Sequence, residues 1–309
     1  MLAQIVRRSL IAAPTMLAVV LVAFALIHIA PDGPFSGERH DSDAISRRVE
    51  RAYHPGQPEL QQFARYLSGA LHGDLGPSMK YQDKSVADIL ADGLPISLLL
   101  CGAALSVALI VGVGFGVAAA LGRNKRYNRA VMALAILGAS APVLVIGPIM
   151  VLVFGQQLHW LPAGGLNRDR LDIAYLTLPV LALAFPQIAV ISRLTGASMN
   201  EALQSSAIRT ARAKGMPERV VLWRYALPAA MPQVLAYLSP AIAGVLIGSF
   251  VIENLFQLPG VAVQFVAAAQ ARDYSTMLGV VVLYAALLIA CNLVADTVRV
   301  ALDPRLRAA

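Results

Sequence analysis

The chain has 309 residues, 58% of them hydrophobic and 14% charged. A soluble domain is about 45–50% apolar and about 25% charged, so this composition argues against an ordinary soluble enzyme and against a disordered scaffold. The formal net charge of +7 would suit a nucleic-acid binder only if the basic residues gathered in one patch, and they do not.

Taken in chain order, six stretches of 20 residues or more contain no Asp, Glu, Lys or Arg. They run from Ser9 to Pro31, Gly93 to Gly122, Ala130 to Asn167, Ile173 to Ser192, Tyr225 to Ile252 and Tyr274 to Ala295. Their lengths are 23, 30, 38, 20, 28 and 22 residues. A helix needs roughly 20 apolar residues to cross the hydrocarbon core, so an all-α membrane protein with six transmembrane helices is predicted. An outer-membrane barrel would show alternating segments of about ten residues instead.

Residues 1–30 comprise the N-terminus and the first expected helix. Arg7 and Arg8 precede an apolar run too long for a signal-peptide core, and no small-x-small cleavage site follows before Pro31. A retained first span is therefore expected. Residues 31–92 form a polar loop punctuated by Pro31, Gly33, Pro34, Gly37, Pro55, Gly56, Pro58, Gly73, Gly76 and Pro77. Within it, 44–53 is charged and amphipathic, and Leu60, Phe63, Leu67 and Leu71 recur at three- or four-residue spacing. A helical cap on the outer membrane surface is expected there. The remainder, 93–309, is expected to be a five-helix core that includes a long cytoplasmic loop over 193–228.

Charge placement sets the orientation. With both termini inside, 15 of the 25 basic residues face the cytoplasm, and seven of the other ten sit in the first outside loop. A loop of that length translocates largely regardless of its charge. The basic excess is thus a topology signal, and no nucleic-acid partner is expected.

Inside the spans, Gly112 with Gly116 and Gly244 with Gly248 form small-xxx-small pairs, which let helix backbones approach in lipid. Pro142, Pro148, Pro179, Pro186 and Pro240 suggest irregular helices around a path. Ionisable residues are nearly absent: His28 lies near an outer end and Asp296 near an inner one. A secondary transporter driven by protons or sodium usually carries charges at mid-membrane, so that alternative is disfavoured. An intramembrane enzyme is disfavoured too, because Ser97, Ser106 and Ser249 are lone span serines expected to bond back to their own helices. Cys101 and Cys291 form neither a disulfide framework nor a metal signature. No phosphate loop, zinc helix or nucleophile elbow is present, so no catalytic, cofactor or metal residue is assigned.

The segment from Arg193 to Arg224 is too long for a plain connector. At its centre, Ser205 and Ser206 suit a helix N-cap, the Ala- and Arg-rich turns over 207–213 favour helix, and Gly215 suits a left-handed cap ahead of Pro217. A helix, a glycine corner and a second helix returning to the membrane at Pro228 are predicted. Resting on anionic lipid is one role for such a basic helix; transmitting a push from a partner is the other.

This segment resembles the Glu-Ala-Ala-x3-Gly-x9-Ile-x-Leu-Pro loop of the permease subunits of ATP-binding-cassette importers. Here the pattern falls on Arg209-Thr210-Ala211, Gly215 and Tyr225-Ala226-Leu227-Pro228. Arg209 stands where the general pattern has Glu, and Tyr225 where it has Ile. The run Arg209 to Gly215 is nevertheless typical of the peptide and nickel branch. Gly73-Asp74-Leu75-Gly76, Glu253 with Phe256, Pro259 and Gly260, Arg272-Asp273-Tyr274 and Leu302-Asp303-Pro304-Arg305 fit that branch as well. Ala262 departs from it, standing where a second Gly often follows Pro-Gly. The stretches 30–39, 72–84 and 159–165 are most similar to the first membrane subunit of oligopeptide importers.

The resemblance implies a MetI-like permease fold with an extracytoplasmic helical insertion, in a bacterial inner membrane. It implies a related second permease, two cytoplasmic ATPase subunits that bind ATP and Mg, and an extracytoplasmic peptide-binding protein. Arg209, Thr210, Ala211, Arg212, Ala213, Lys214, Gly215, Leu227 and Pro228 would form the coupling loop. Arg209, Arg212 and Lys214 would face acidic or carbonyl groups of an ATPase, with Ala211 and Ala213 permitting close approach. A dipeptide or nickel importer of the same family is the alternative within this resemblance.

Overall fold

The computed structural model describes residues 2–29, 57–81, 83–122, 138, 142–166 and 172–302. The charged stretch 44–53, the basic residues of 123–129 and the end of the chain from Asp303 onward lie outside the described residues. Their regular secondary structure is helical apart from one isolated bridge between Pro77 and Ser85.

Ten helices occur among them. They are α1 (Leu2–Ile29), α2 (Glu59–Leu71), α3 (Val86–Leu121), α4 (Val143–Met150), α5 (Ile173–Leu203), α6 (Ser206–Ala213), α7 (Glu218–Val221), α8 (Leu227–Leu255), α9 (Val261–Gln270) and α10 (Tyr274–Leu302). Two π-helical turns, Val151–Gln157 and Leu222–Ala226, follow α4 and α7. By length and composition, Val86–Leu121, Ile173–Leu203, Glu218–Leu255 and Tyr274–Val300 suffice to cross a membrane. Ala12–Leu26, Val143–Gln157 and Val261–Gln270 are shorter apolar helices.

Helix α5 runs 31 residues, roughly 46 Å at 1.5 Å per residue, and so continues eleven residues past the end of its charge-free stretch at Ser192. Pro179 and Pro186 lie inside it without ending it, and Pro240 lies inside the 29-residue α8. The helical assignment thus runs through all three prolines. The wide turn Leu222–Ala226 precedes Pro228 at the start of α8: proline offers no N–H to the carbonyl four residues back, and its ring crowds that carbonyl. Helix α9 was not anticipated from the sequence, being only ten residues long and set among turn residues.

The chain divides into two compact units. One comprises Leu99–Phe256 and Cys291–Ala309; the other comprises Leu2–Leu98 and Gln257–Ala290. In the second unit, Val20 and Phe24 of α1 are buried with Tyr66 and Met79, and Leu278 and Val282 of α10 join them. Phe24 meets Phe63 edge-on with centroids 5.5 Å apart. Helix α2 forms as expected, and Phe63 and Leu67 lie on its packed face. Leu60 and Leu71 do not: both are exposed, and Gln62 and Tyr66 occupy the buried stripe. Burial raises the Tyr66 phenol pKa well above its usual value.

Asp273, 1% exposed, knots this unit at the start of α10. Its carboxylate accepts from Ser78 Oγ at 2.5 Å, Ser275 Oγ at 2.9 Å, Thr276 Oγ1 at 2.8 Å and the Thr276 N–H at 3.1 Å. Ser275 Oγ also lies 2.8 Å from the Pro77 carbonyl, so its single proton is shared between that carbonyl and the carboxylate. An N-terminal carboxylate is favoured by the helix dipole and by orphan N–H groups, and here it also pins residues 77–78.

In the first unit the small-residue pairs are contact points, as predicted. A Cβ on Gly112 would lie 2.9 Å from Ile191 Cβ, and one on Gly116 would lie 2.6 Å from the Ser192 carbonyl oxygen. Gly114, between them, faces open space. Gly248 likewise leaves room for Leu183. Ser106 and Ser249 bond back to Gly102 and Leu246. Ser97, in the second unit, reaches the Gly93 carbonyl only at 3.5 Å and accepts from the Val261 N–H at 3.0 Å. It therefore ties α9 to α3 rather than serving its own helix alone.

Candidate functional site

The segment from Leu203 to Pro228 folds as a helical corner seated on its own hydrophobic cluster. Ser205 caps α6: its backbone is extended (φ −65°, ψ 153°) and its hydroxyl accepts from the Ile208 N–H at 3.4 Å. Only eight residues long, α6 is far below the length at which an isolated helix holds in water, so its stability must come from packing. Ile208 and Ala211, one turn apart on the same face, supply it. They are 1% and 4% exposed and pack with Met199, Ala202, Val221, Ala226 and Ala230. Val117 and Ala120 of α3 border the same cluster.

The corner after α6 is a Schellman motif. The Gly215 N–H donates to the Arg212 carbonyl at 2.9 Å, and the Met216 N–H donates to the Ala211 carbonyl at 3.3 Å. Gly215 takes φ +74°, the left-handed conformation this motif demands. Met216 packs into the cluster that holds Ala211, which is the hydrophobic contact that accompanies such caps. Pro217 caps α7 with an extended backbone. Across the corner, Arg212 Nη2 and Nε donate to the two carboxylate oxygens of Glu218 at 2.5 and 3.2 Å. This bidentate pair raises the pKa of the Arg212 guanidinium further. It is exposed and adds little stability of its own, while its planar fork bridges α6 and α7.

These contacts sort the predicted site residues. Arg209, Thr210, Arg212, Ala213, Lys214 and Gly215 are exposed, and so is Pro228 near the start of α8. Thr210 Oγ1 donates back to the Ser206 carbonyl, and Leu227 is half-buried against the cluster. Ala211 departs from its expected role. Its methyl is packed inside its own chain, so it holds α6 down and does not admit a partner; Ala213 keeps the open position. Arg212 likewise commits its Nε–Nη2 edge to Glu218, whereas Arg209 and Lys214 are the outward cations of the expected trio without that pairing.

Sequence reasoning missed Ile208, Met216 and Glu218. The apolar Ile208–Ala211 spacing among arginines was the available sign of a packed face. Glu218 carried none, because a six-residue separation is not a helical pairing distance.

Two other family-like stretches also meet in the structure. The Gly165 N–H donates to the Phe256 carbonyl at 2.9 Å, and Phe256 is fully buried at the end of α8. The loop 159–165 is thereby tied to the Glu253–Phe256 segment.

The whole-chain pattern has counterparts in known proteins. Residues 112–308 match the family described as the binding-protein-dependent transport system inner membrane component. This chain belongs to that family. It is 42% identical over 307 residues to the oligopeptide transport system permease protein OppB of Escherichia coli strain K12, covering 99% of this chain and all of that relative. The corresponding protein of Haemophilus influenzae is 39% identical over the same share. The dipeptide transport system permease protein DppB of Bacillus subtilis is 35% identical over 98% of this chain and 97% of its own length. With several helices long and apolar enough to cross a bilayer, this family member is a multi-pass membrane protein.

Proposed function

We propose that this chain is the first membrane subunit of an ATP-driven oligopeptide importer. The observation that carries the reading is the 42% identity to an oligopeptide permease along the entire chain. The dipeptide relative is less similar over a like share, which favours the longer cargo. Six transmembrane helices are proposed, with both termini in the cytoplasm, and residues 31–92 form an extracytoplasmic helical insertion between 1–30 and the 93–309 core. The partners are a related second permease, two ATPase subunits that bind ATP and Mg, and an extracytoplasmic peptide-binding protein. This subunit hydrolyses nothing itself.

The coupling element is α6 with its glycine corner. A lever must be stiff at the contact and firmly attached to what it moves. Helix α6 is clamped between a Ser cap and a Schellman corner, and Ile208 and Ala211 anchor it beside the ends of α5 and α8. Arg209, Lys214 and the open Ala213 present its free face to an ATPase groove. ATP-driven closure of the ATPases displaces α6 and tilts the helices from inward- to outward-facing; hydrolysis resets them. Nucleotide can shift this equilibrium only by binding the two states unequally, and a shift from 1:99 to 99:1 takes about 5.5 kcal/mol.

The test is the assembled complex in proteoliposomes, with and without residues 206–214. The deletion is expected to insert and assemble but to lose ATP-dependent peptide uptake and peptide-stimulated ATP turnover. Undiminished uptake in the deletion, or uptake by this chain alone without ATPases, overturns the reading.

A further inference from the structure

Near the middle of the α5–α8 pair lies a side-chain amide that the fold leaves half-used. Gln187 is the fifteenth of the 31 residues of α5 and is 8% exposed. Its Oε1 accepts from Tyr237 Oη at 2.9 Å. Among the described residues its Nε2 meets no acceptor. The neighbour over that nitrogen is Gly244, an exposed position, where a Cβ would come within 2.8 Å of Nε2. Any other residue at 244 would crowd the amide. Glycine therefore lets the free end of the Gln187 side chain lie against α8 at a position that is itself exposed.

The surroundings continue the polar character. One further hydrogen bond, Ser198 Oγ to Gln233 Oε1 at 2.6 Å, joins α5 to α8, and Gln233 is exposed. Both helices are read as crossing the bilayer. An open amide facing hydrocarbon costs several kcal/mol, and polar side chains within spans face protein or a water-filled cavity. Interhelical adhesion accounts for the Tyr237 bond and for the close approach at Gly244, but not for the unused end of the amide.

We infer that Gln187, oriented by Tyr237 and admitted beside the exposed Gly244, binds the backbone amides of peptide cargo within the translocation path. A primary amide carries a donor and an acceptor, as a peptide group does. Whichever end Tyr237 engages, the other is complementary to one half of a peptide bond. Such recognition ignores cargo side chains, so it suits a transporter that passes peptides of varied sequence. The inference rests on the peptide-importer reading.

The experiment uses the complete complex in proteoliposomes, with Cys101 and Cys291 replaced by Ser. Pro240→Cys and Ile247→Cys, at exposed positions one turn to either side of Gly244, are treated with a membrane-impermeant sulfonate thiol reagent. Thiols react as thiolates, which form where water reaches. Rapid modification that excess oligopeptide slows at least fivefold is expected at one or both positions. In the native-cysteine complex, Gln187→Leu is expected to raise the KM for peptide uptake about fivefold, the scale of one lost hydrogen bond. Gln187→Asn, which keeps an amide, should restore part of that loss. The inference is overturned if both cysteines resist the reagent with and without a non-hydrolysable ATP analogue, or if peptide gives no protection. It is overturned too if Gln187→Leu leaves KM unchanged. Absence of ATP-dependent uptake by the wild-type complex would instead overturn the importer reading.

Discussion

Replacing Gly215 by alanine isolates backbone strain from packing. The residue sits at φ +74°, and nothing lies within 4 Å of where a Cβ would stand, so the added methyl meets no atom. What remains is the left-handed conformation itself, which costs a non-glycine residue roughly 1–2 kcal/mol. At 1.4 kcal/mol per tenfold, the opened corner should become about five to thirty times more populated. Hydrogen exchange reads this directly, because the amides of Lys214, Gly215 and Met216 donate to the Thr210, Arg212 and Ala211 carbonyls and exchange only when the corner opens. These amides should exchange faster by that factor in Gly215→Ala, and less so in Gly215→Asn, since asparagine tolerates the left-handed region better. ATP-dependent uptake by the reconstituted complex should fall in the same order. Wild-type exchange rates in Gly215→Ala would refute the reasoning, because they would show that this glycine is not what permits the corner.

Further outcomes are expected at three places in the fold. Ile208→Ala should loosen α6 by about 2–5 kcal/mol, the range for truncating a fully buried Ile, and uncouple ATP turnover from uptake. Arg209→Ala should leave α6 seated, as judged by its exchange protection. Gly116→Val should lower the thermal midpoint of the detergent-solubilised protein through overpacking of about 1–3 kcal/mol against Ser192 and Thr195, whereas Gly114→Ala should leave it unchanged. Asp273→Ala strips a buried helix cap from four donors and should cost at least the 0.5–2 kcal/mol of a lost cap. Faster proteolysis around 75–86 would report the release of Ser78, and an unchanged cleavage pattern would contradict the role assigned to Asp273.

Patterns of one residue type sufficed to determine the membrane class, the positions of the long apolar helices and the glycine corner. Charge is costly in hydrocarbon wherever it falls, so its absence over some twenty residues is readable without knowing any neighbour. Likewise Gly215 follows Arg- and Ala-rich turns at the place where a left-handed residue must end them. The glycines at 112 and 116 declared a close approach, though not that Ile191, Ser192 and Thr195 would be what approached. Tertiary structure alone decided the rest. It turned Ala211 inward beside Ile208, gave Arg212 to Glu218, extended α5 well past its charge-free stretch, formed α9 from a short run among turns and set Gly244 over Gln187. Each depends on which face of an element meets another element. Spacing along a chain names the residues that share a face, but only the packed fold selects what that face touches.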